Sequence, residues 1–207
     1  MIRLHMSDLI QSQANTTYPA LEKIPAMQRR RLSAIAKIAL NSAIQALEGQ
    51  SVDYIIWVSQ YGDEHKTLSI LNDVLQDQTP SPTQFSTSVH NAISGLYSIL
   101  CQDATPATSL AGSWNDALVE AYAWLKTCQN QNVRVLVVYY DEPLPVIYRD
   151  FQVFDAFSMA AVLSLNQPNL EIDLSQYSAP AYYFQEAQTF QAFWQGSEHS
   201  KLAWQKC

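Results

Sequence analysis

Ser81-Pro82-Thr83-Gln84-Phe85-Ser86-Thr87-Ser88-Val89-His90-Asn91-Ala92-Ile93-Ser94-Gly95-Leu96 is the stretch on which the reading of this chain turns. Ser81-Pro82-Thr83 reads as a turn, and Phe85, Val89, Ala92, Ile93, Leu96 and Leu100 then fall at the spacings that put an apolar stripe on one helix. Gly95 allows another backbone to approach closely. Asn91 carries an amide that needs partners wherever it is buried.

Working outward, the flanks alternate strand and helix. Upstream, Leu32, Ile35, Ala36, Ala39, Ala43 and Leu47 predict an amphipathic helix from Ala26 to Leu47, ended by Gly49. Val52 to Val58 is β-branched and aromatic, as a buried strand would be, and Gly62 marks the turn into a helix through Leu68, Leu71 and Leu75 that stops before Pro80. Downstream, Thr105 to Leu110 is a short strand broken by Gly112. A helix from Asn115 to Cys128 follows, carrying Trp114, Ala117, Leu118, Ala121 and Leu125 at helical spacings. Val133 to Tyr140 is the strongest strand, and Ala156 to Leu165 reads as its neighbour after a loop from Asp141 to Pro145. The alternation predicts an α/β layered fold. Beyond Gln167 the composition shifts to Gln, Tyr, Phe and Trp, so residues 1–166 read as the main body and 167–207 as an aromatic extension packing on it.

With 207 residues, 48% of them apolar, the chain can bury a substantial core. Its 12 basic and 19 acidic residues give a net charge of −7, which disfavours a nucleic-acid surface. The cluster Arg29-Arg30-Arg31 is the exception, either a solvated helix end or a patch for an acidic partner. Cys101, Cys128 and Cys207 are an odd number with no secretory signature at the N-terminus, which points to a reduced, cytoplasmic protein. The longest apolar runs fall short of the roughly 18 residues a membrane span requires.

The quoted run resembles the interface segment of β-ketoacyl synthases, and the order of elements from Ala26 to Leu165 is similar to the N-terminal half of the thiolase fold. The resemblance implies an α/β fold with layered helices and a mixed five-stranded sheet. In that family the interface helix is followed by a turn, a strand and a catalytic cysteine at a nucleophile elbow. Here Asn91, Gly95 and Pro106 coincide with family positions, and the cysteine position falls on Trp114, with Ser113 and Asn115 on either side. A thiolate accepts an acyl group near neutral pH, and an indole cannot. The histidines that assist decarboxylation belong to the family's C-terminal half, which these residues do not include, and His90 matches neither.

Other chemistry is thin. Ser113 with His90 could make a serine nucleophile and base, but the Gly-x-Ser-x-Gly elbow is absent. Cys101 with Asp103 continues an apolar stripe, as a buried free cysteine does. The scattered His5, His65, His90 and His199 have no metal-site spacing, and five glycines leave little room for a phosphate loop. Asp63-Glu64 and Asp141-Glu142 each fall at a turn, where carboxylates cap or solvate element ends.

The resemblance therefore implies a non-catalytic, chain-length-factor-like subunit without cofactor or metal. It would pair with an active β-ketoacyl synthase in aryl polyene, polyketide or fatty-acid-like elongation on acyl carrier protein. Phe85, Val89, His90, Asn91, Ile93, Gly95 and Leu96 are its expected interface and acyl-tunnel wall, and Arg29, Arg30 and Arg31 a candidate carrier-protein contact. The rival expectations are a stand-alone hydrolase or acyltransferase using Ser113 or Cys101, and a carrier-protein-binding scaffold. The aromatic tail, Tyr182 to Trp194 with Trp204, is expected to cover the helix from Asn115 to Cys128.

Overall fold

The computed structural model describes residues 1–130, 132–148, 153–178 and 180–207. The chain opens with strands β1 (Ile2–Met6) and β2 (Ile10–Gln13), a short 3-10 turn (Pro19–Lys23), and helices α1 (Ala26–Arg29) and α2 (Ala34–Leu47). Strand β3 (Tyr54–Ser59), helices α3 (Glu64–Leu75), α4 (Pro82–Ser88) and α5 (Ala92–Cys101), strand β4 (Ala107–Ala111) and helix α6 (Trp114–Thr127) follow. Strands β5 (Val135–Asp141), β6 (Phe157–Ser164) and β7 (Leu170–Ile172), helix α7 (Tyr183–Gln195) and strands β8 (Ser200–Lys201) and β9 (Trp204–Lys206) complete it.

All strands belong to one sheet of order β4-β3-β5-β6-β1-β7-β9-β8, with β2 pairing β6 beyond the end of β1. β4, β3 and β5 are parallel; from β6 onward every pairing is antiparallel. The central strands are buried on both faces, so they read as continuous apolar runs, and their alternation divides the core in two. Ile56, Val58, Val135, Val137 and Tyr139 face α6 and α7, whereas Ile55, Trp57, Leu136, Val138 and Tyr140 face α2 and α5.

The expected layered α/β arrangement with a mixed sheet is present, and the departures have local causes. Among the described residues the sheet has nine strands, not five. β1 carries a strict in-out alternation, Ile2, Leu4 and Met6 inward, over too few residues to stand out. β7, β8 and β9, each only two or three residues long, come from residues 167–207 and extend the same sheet.

The helix expected from Ala26 to Leu47 is two. Ser33 turns out of helical geometry and its side chain accepts the amide of Ala36 at 3.3 Å, starting α2 afresh. The interface helix is also two, α4 and α5, separated by an extended Val89. In α4 the hydroxyls of Ser86, Thr87 and Ser88 bond back to the carbonyls of Thr83 and Phe85, competition that weakens a helix. His90 Nε2 is meanwhile held by the carbonyl of Ser59, 3.1 Å away at the end of β3. The loop pinned there cannot continue the helix.

Candidate functional site

The turn from β4 into α6 is where a nucleophile elbow would stand. Ser113 is the N-cap of α6 in a reciprocal box: its Oγ accepts the Asp116 amide at 3.2 Å, and Asp116 Oδ2 accepts the Ser113 amide at 2.8 Å. Ser113 is wholly buried, and its hydroxyl also meets the Tyr177 hydroxyl at 3.2 Å. Trp114 is likewise buried, its ring packed on Phe190 with centroids 5.4 Å apart. The amide of Asn115 donates to Glu186 Oε1 at 2.8 Å, and the indole of Trp204 donates to Asn115 Oδ1 at 2.7 Å.

Three consecutive elbow residues are thus each engaged by side chains from 177–207. Glu186 is pushed above the usual carboxylate range by burial, although the Asn115 amide pulls it down, and burial lifts the Tyr177 phenol to about 12. The Ser113 hydroxyl is enclosed and hydrogen-bonded to the Asp116 amide and the Tyr177 hydroxyl. Phe184, Phe190, Phe193 and Trp204 share one core with Trp114, Leu118 and Leu125.

The other nucleophile candidates are no better placed. His90 uses its ring nitrogen on the Ser59 carbonyl, not on Ser113. Burial, then the Asp103 charge, raises the Cys101 thiol to about 11, which removes the thiolate at neutral pH. Among the described residues no group of three His, Cys, Asp or Glu side chains is placed to hold a metal ion.

A buried carboxylate that the sequence reading placed at an ordinary turn lies at the ends of β3 and β5. Asp141 Oδ1 accepts Ser59 Oγ at 2.9 Å and the Gln60 amide at 3.1 Å, while Tyr139 donates to Oδ2. Burial raises its carboxyl to about 6 against those hydrogen bonds, and raises its neighbour Glu142 to about 8 with the help of the Asp63 and Asp141 charges. Ser59 Oγ also accepts the Gly62 amide at 2.8 Å. Asp141 therefore fixes, through Ser59, the same strand end that holds His90. The sequence signal was the polar pair Ser59 and Asp141, each closing an otherwise apolar strand.

The expected interface residues divide. Ile93 is buried in the chain's own core beside Trp57, and Leu96 packs partly against it, so neither forms an exposed wall. Phe85 (63% exposed), Val89, Asn91 and Gly95 face outward, and His90 is half-buried. On the same flank Leu71, Val74 and Leu75 of α3 are exposed, and α3 packs against α4. Among the described residues β4 pairs only with β3, which leaves its outer edge without a strand partner there. Arg29 is partly buried, its guanidinium donating to the Leu21 carbonyl at 3.3 Å, whereas Arg30 and Arg31 are exposed.

A parallel three-strand core, extended by antiparallel strands and flanked by helices on both faces, carries an enclosed turn from β4 into α6 at Ser113 and Trp114. Over residues 5–206 the chain matches the family model described as beta-ketoacyl synthase, N-terminal domain, and it belongs to that family. No curated protein sequence matches it. One chain in the structure of the ketosynthase ApeO with its chain length factor ApeC, from Xenorhabdus doucetiae, is similar at a TM-score of 0.77 and 20% identity, over 100% of this chain and 98% of that one. A β-ketoacyl synthase from Burkholderia phymatum is similar at a TM-score of 0.57 and 9% identity, over 86% of this chain and 66% of that one. The HMG-CoA synthase PksG of Bacillus subtilis reaches 0.50 at 12% identity, over 86% of this chain and 46% of that one. At these identities the likeness shows the fold. No helix among the described residues is long and apolar enough to cross a membrane.

Proposed function

We propose that this chain is a non-catalytic, chain-length-factor-like subunit. It pairs with an active β-ketoacyl synthase in the cytoplasm, in elongation of aryl polyene, polyketide or fatty-acid-like chains on acyl carrier protein. The observation that carries this reading is the filled elbow: Trp114 stands in the core against Phe190, and Ser113 and Asn115 are held by Tyr177, Glu186 and Trp204. A buried indole and an enclosed serine present no exposed nucleophile to an acyl group.

Two further features support pairing. The outer edge of β4 carries Ala107, Thr108, Ser109, Leu110 and Ala111, with no lysine or proline to discourage strand addition, and an exposed edge of that kind calls for a covering partner. Beside it, Phe85, Leu71, Val74 and Leu75 expose apolar surface on α3 and α4. The ApeO and ApeC structure holds a chain of nearly this length beside a second subunit, and pairing of this chain with a synthase follows that arrangement.

In this reading the chain shapes the product from outside. Trp114 fills its own core against Phe190, and an acyl chain growing in the partner would meet the outward residues Phe85 and Val89. Co-expression with a ketosynthase, size-exclusion chromatography and analysis of product length test the proposal. A stable complex with product only when both subunits are present is expected. Acylation of this chain alone, or condensation by it alone, would sink the proposal.

A further inference from the structure

Glu186 is 8% exposed, and only one of its carboxylate oxygens is used. Oε1 accepts the Asn115 amide at 2.8 Å, while Oε2 has no hydrogen-bond partner among the described residues. The Tyr177 and Ser113 hydroxyls lie near enough to ease the charge, yet they meet each other at 3.2 Å and neither reaches Oε2 in hydrogen-bonding geometry. A buried carboxylate oxygen without a donor costs more than an ordinary hydrogen bond contributes.

The same residue lines a cavity of about 220 Å³, formed where the start of α6 meets α7 and the segments leading into α7 and β9. Asn115, Tyr177 and Trp204 line it as well, with Pro180 and the exposed Leu202. Among the described residues that line it, Glu186 is the one carboxylate, and there is no lysine, arginine or histidine.

These features select a ligand by charge. A phosphate or carboxylate would meet Glu186 with no base to offset the repulsion. A neutral alcohol offers a donor but leaves a buried charge uncompensated. A primary ammonium brings donors and charge together, and a charge-assisted bond is about twice as strong as a neutral one. A metal ion fits less well, since no group of three ligating side chains among the described residues is placed to hold one. The cavity is also smaller than the roughly 300 Å³ at which drug-sized sites begin, so the body of the ligand is short.

We propose that this cavity binds a small primary amine, its ammonium donating to Glu186 Oε2 and its alkyl body lying against Pro180 and Leu202. None of the lining residues belongs to α3, α4, α5 or β4, so the site is tested on the chain alone and does not rest on pairing with a synthase.

The test titrates the full ¹⁵N-labelled chain with n-butylammonium chloride at pH 8 and constant ionic strength. The Trp204 indole donates to Asn115 Oδ1 at 2.7 Å, and its N–H resonance, assigned with Trp204→Phe, reports on the cavity. A saturable shift with a Kd of about 10 mM or below is expected for a ligand of this size. Sodium chloride, 1-butanol and butyrate should bind at least about tenfold more weakly. Glu186→Gln keeps an acceptor for the Asn115 amide and should weaken amine binding about tenfold, and Gln185→Trp, at an exposed lining position, should block it. Thermal melts show that both variants stay folded. Burial foremost, with the Asp116 charge, holds the Glu186 carboxyl up, so affinity should rise from pH 5 to pH 8 in the unmodified chain and stay flat in Glu186→Gln. No saturable shift up to about 100 mM, equal binding of 1-butanol or butyrate, or full binding by either variant would overturn the proposal.

Discussion

The carboxylate of Glu186, in the first turn of α7, accepts the backbone amide of Asn115, in the first turn of α6, at 2.8 Å. A helix start leaves amides without intrahelical acceptors, and an anion there is favoured by the helix dipole. Replacing Glu186 with Ala removes the acceptor inside a closed site. A loss of roughly 2 kcal/mol in urea-measured stability is expected. Glu186→Gln keeps an acceptor oxygen and should cost less than about half of that. Equal losses for the two variants would mean that charge alone matters at this contact.

Trp114→Cys places a thiol at the position onto which the resemblance lays the family's nucleophile, behind Phe190 and within the core. The variant should be less stable by roughly 3 kcal/mol through loss of packed volume. It should show no covalent adduct by intact mass after incubation with an acyl thioester. An adduct would mean that the elbow opens in solution.

Gly95 is exposed, and a side chain built there meets nothing within 4 Å. Gly95→Leu and Phe85→Asp should therefore leave the melting temperature within about 2 °C of the unmodified chain. Both should abolish co-elution with the synthase. Unimpaired co-elution of either variant would relocate the interface.

Asp141 and Glu142 are raised to about 6 and about 8 by burial, above their ordinary values of 3.8 and 4.5. A carboxyl whose folded value is raised holds its proton longer in the folded state. Its stabilising contribution is full below the unfolded value and is lost as pH rises through the folded one. The chain should therefore melt higher at pH 5 than at pH 8, by on the order of 5 °C. Glu142→Gln should flatten that slope; an unchanged slope would show that other groups set it.

Removing residues 177–207 takes away Phe184, Phe190, Phe193 and Trp204, which share a core with Trp114 and Leu118. The exposed face should drive aggregation. A truncated chain that eluted as a monomer with an unchanged melting temperature would show that the aromatic tail is dispensable.

The parts of this fold that were legible in sequence are those where one periodicity acts alone. Tyr54–Ser59 and Val135–Asp141 are apolar on both faces, and Trp114–Thr127 keeps its stripe over fourteen residues, so each announces itself. The breaks at Ser33 and Val89 were not legible, because Ile35 and Ile93 continue the helical spacing across them. What interrupts the helix is a side-chain cap in one case and a contact from His90 to a distant strand in the other. At the turn into α6, the start of the helix near Trp114 could be read from its apolar spacing. The roles of Glu186, Tyr177 and Asn115 could not, since Tyr177 meets Ser113 across 64 positions of chain and Glu186 meets Asn115 across 71, with no shared motif.

The place of β1 in the sheet sets a schedule for the molecule's birth. Leu4 pairs with Leu170 on one side of the strand, and Met6 pairs with Leu163 on the other. Residues 2–6 are therefore made some 160 positions ahead of the strands they pair with, and must wait for them. Until then Ile2, Leu4 and Met6 remain in contact with water, and β6 has an unpaired edge. Such distant pairings slow folding and lengthen exposure to chaperones. The central parallel strands can assemble earlier, since β3 and β4 are both translated well before β6. Folding should therefore show a late step in which the N-terminus locks into a body that has already collapsed, visible in pulse-labelled exchange as delayed protection of the amides of Leu4 and Met6.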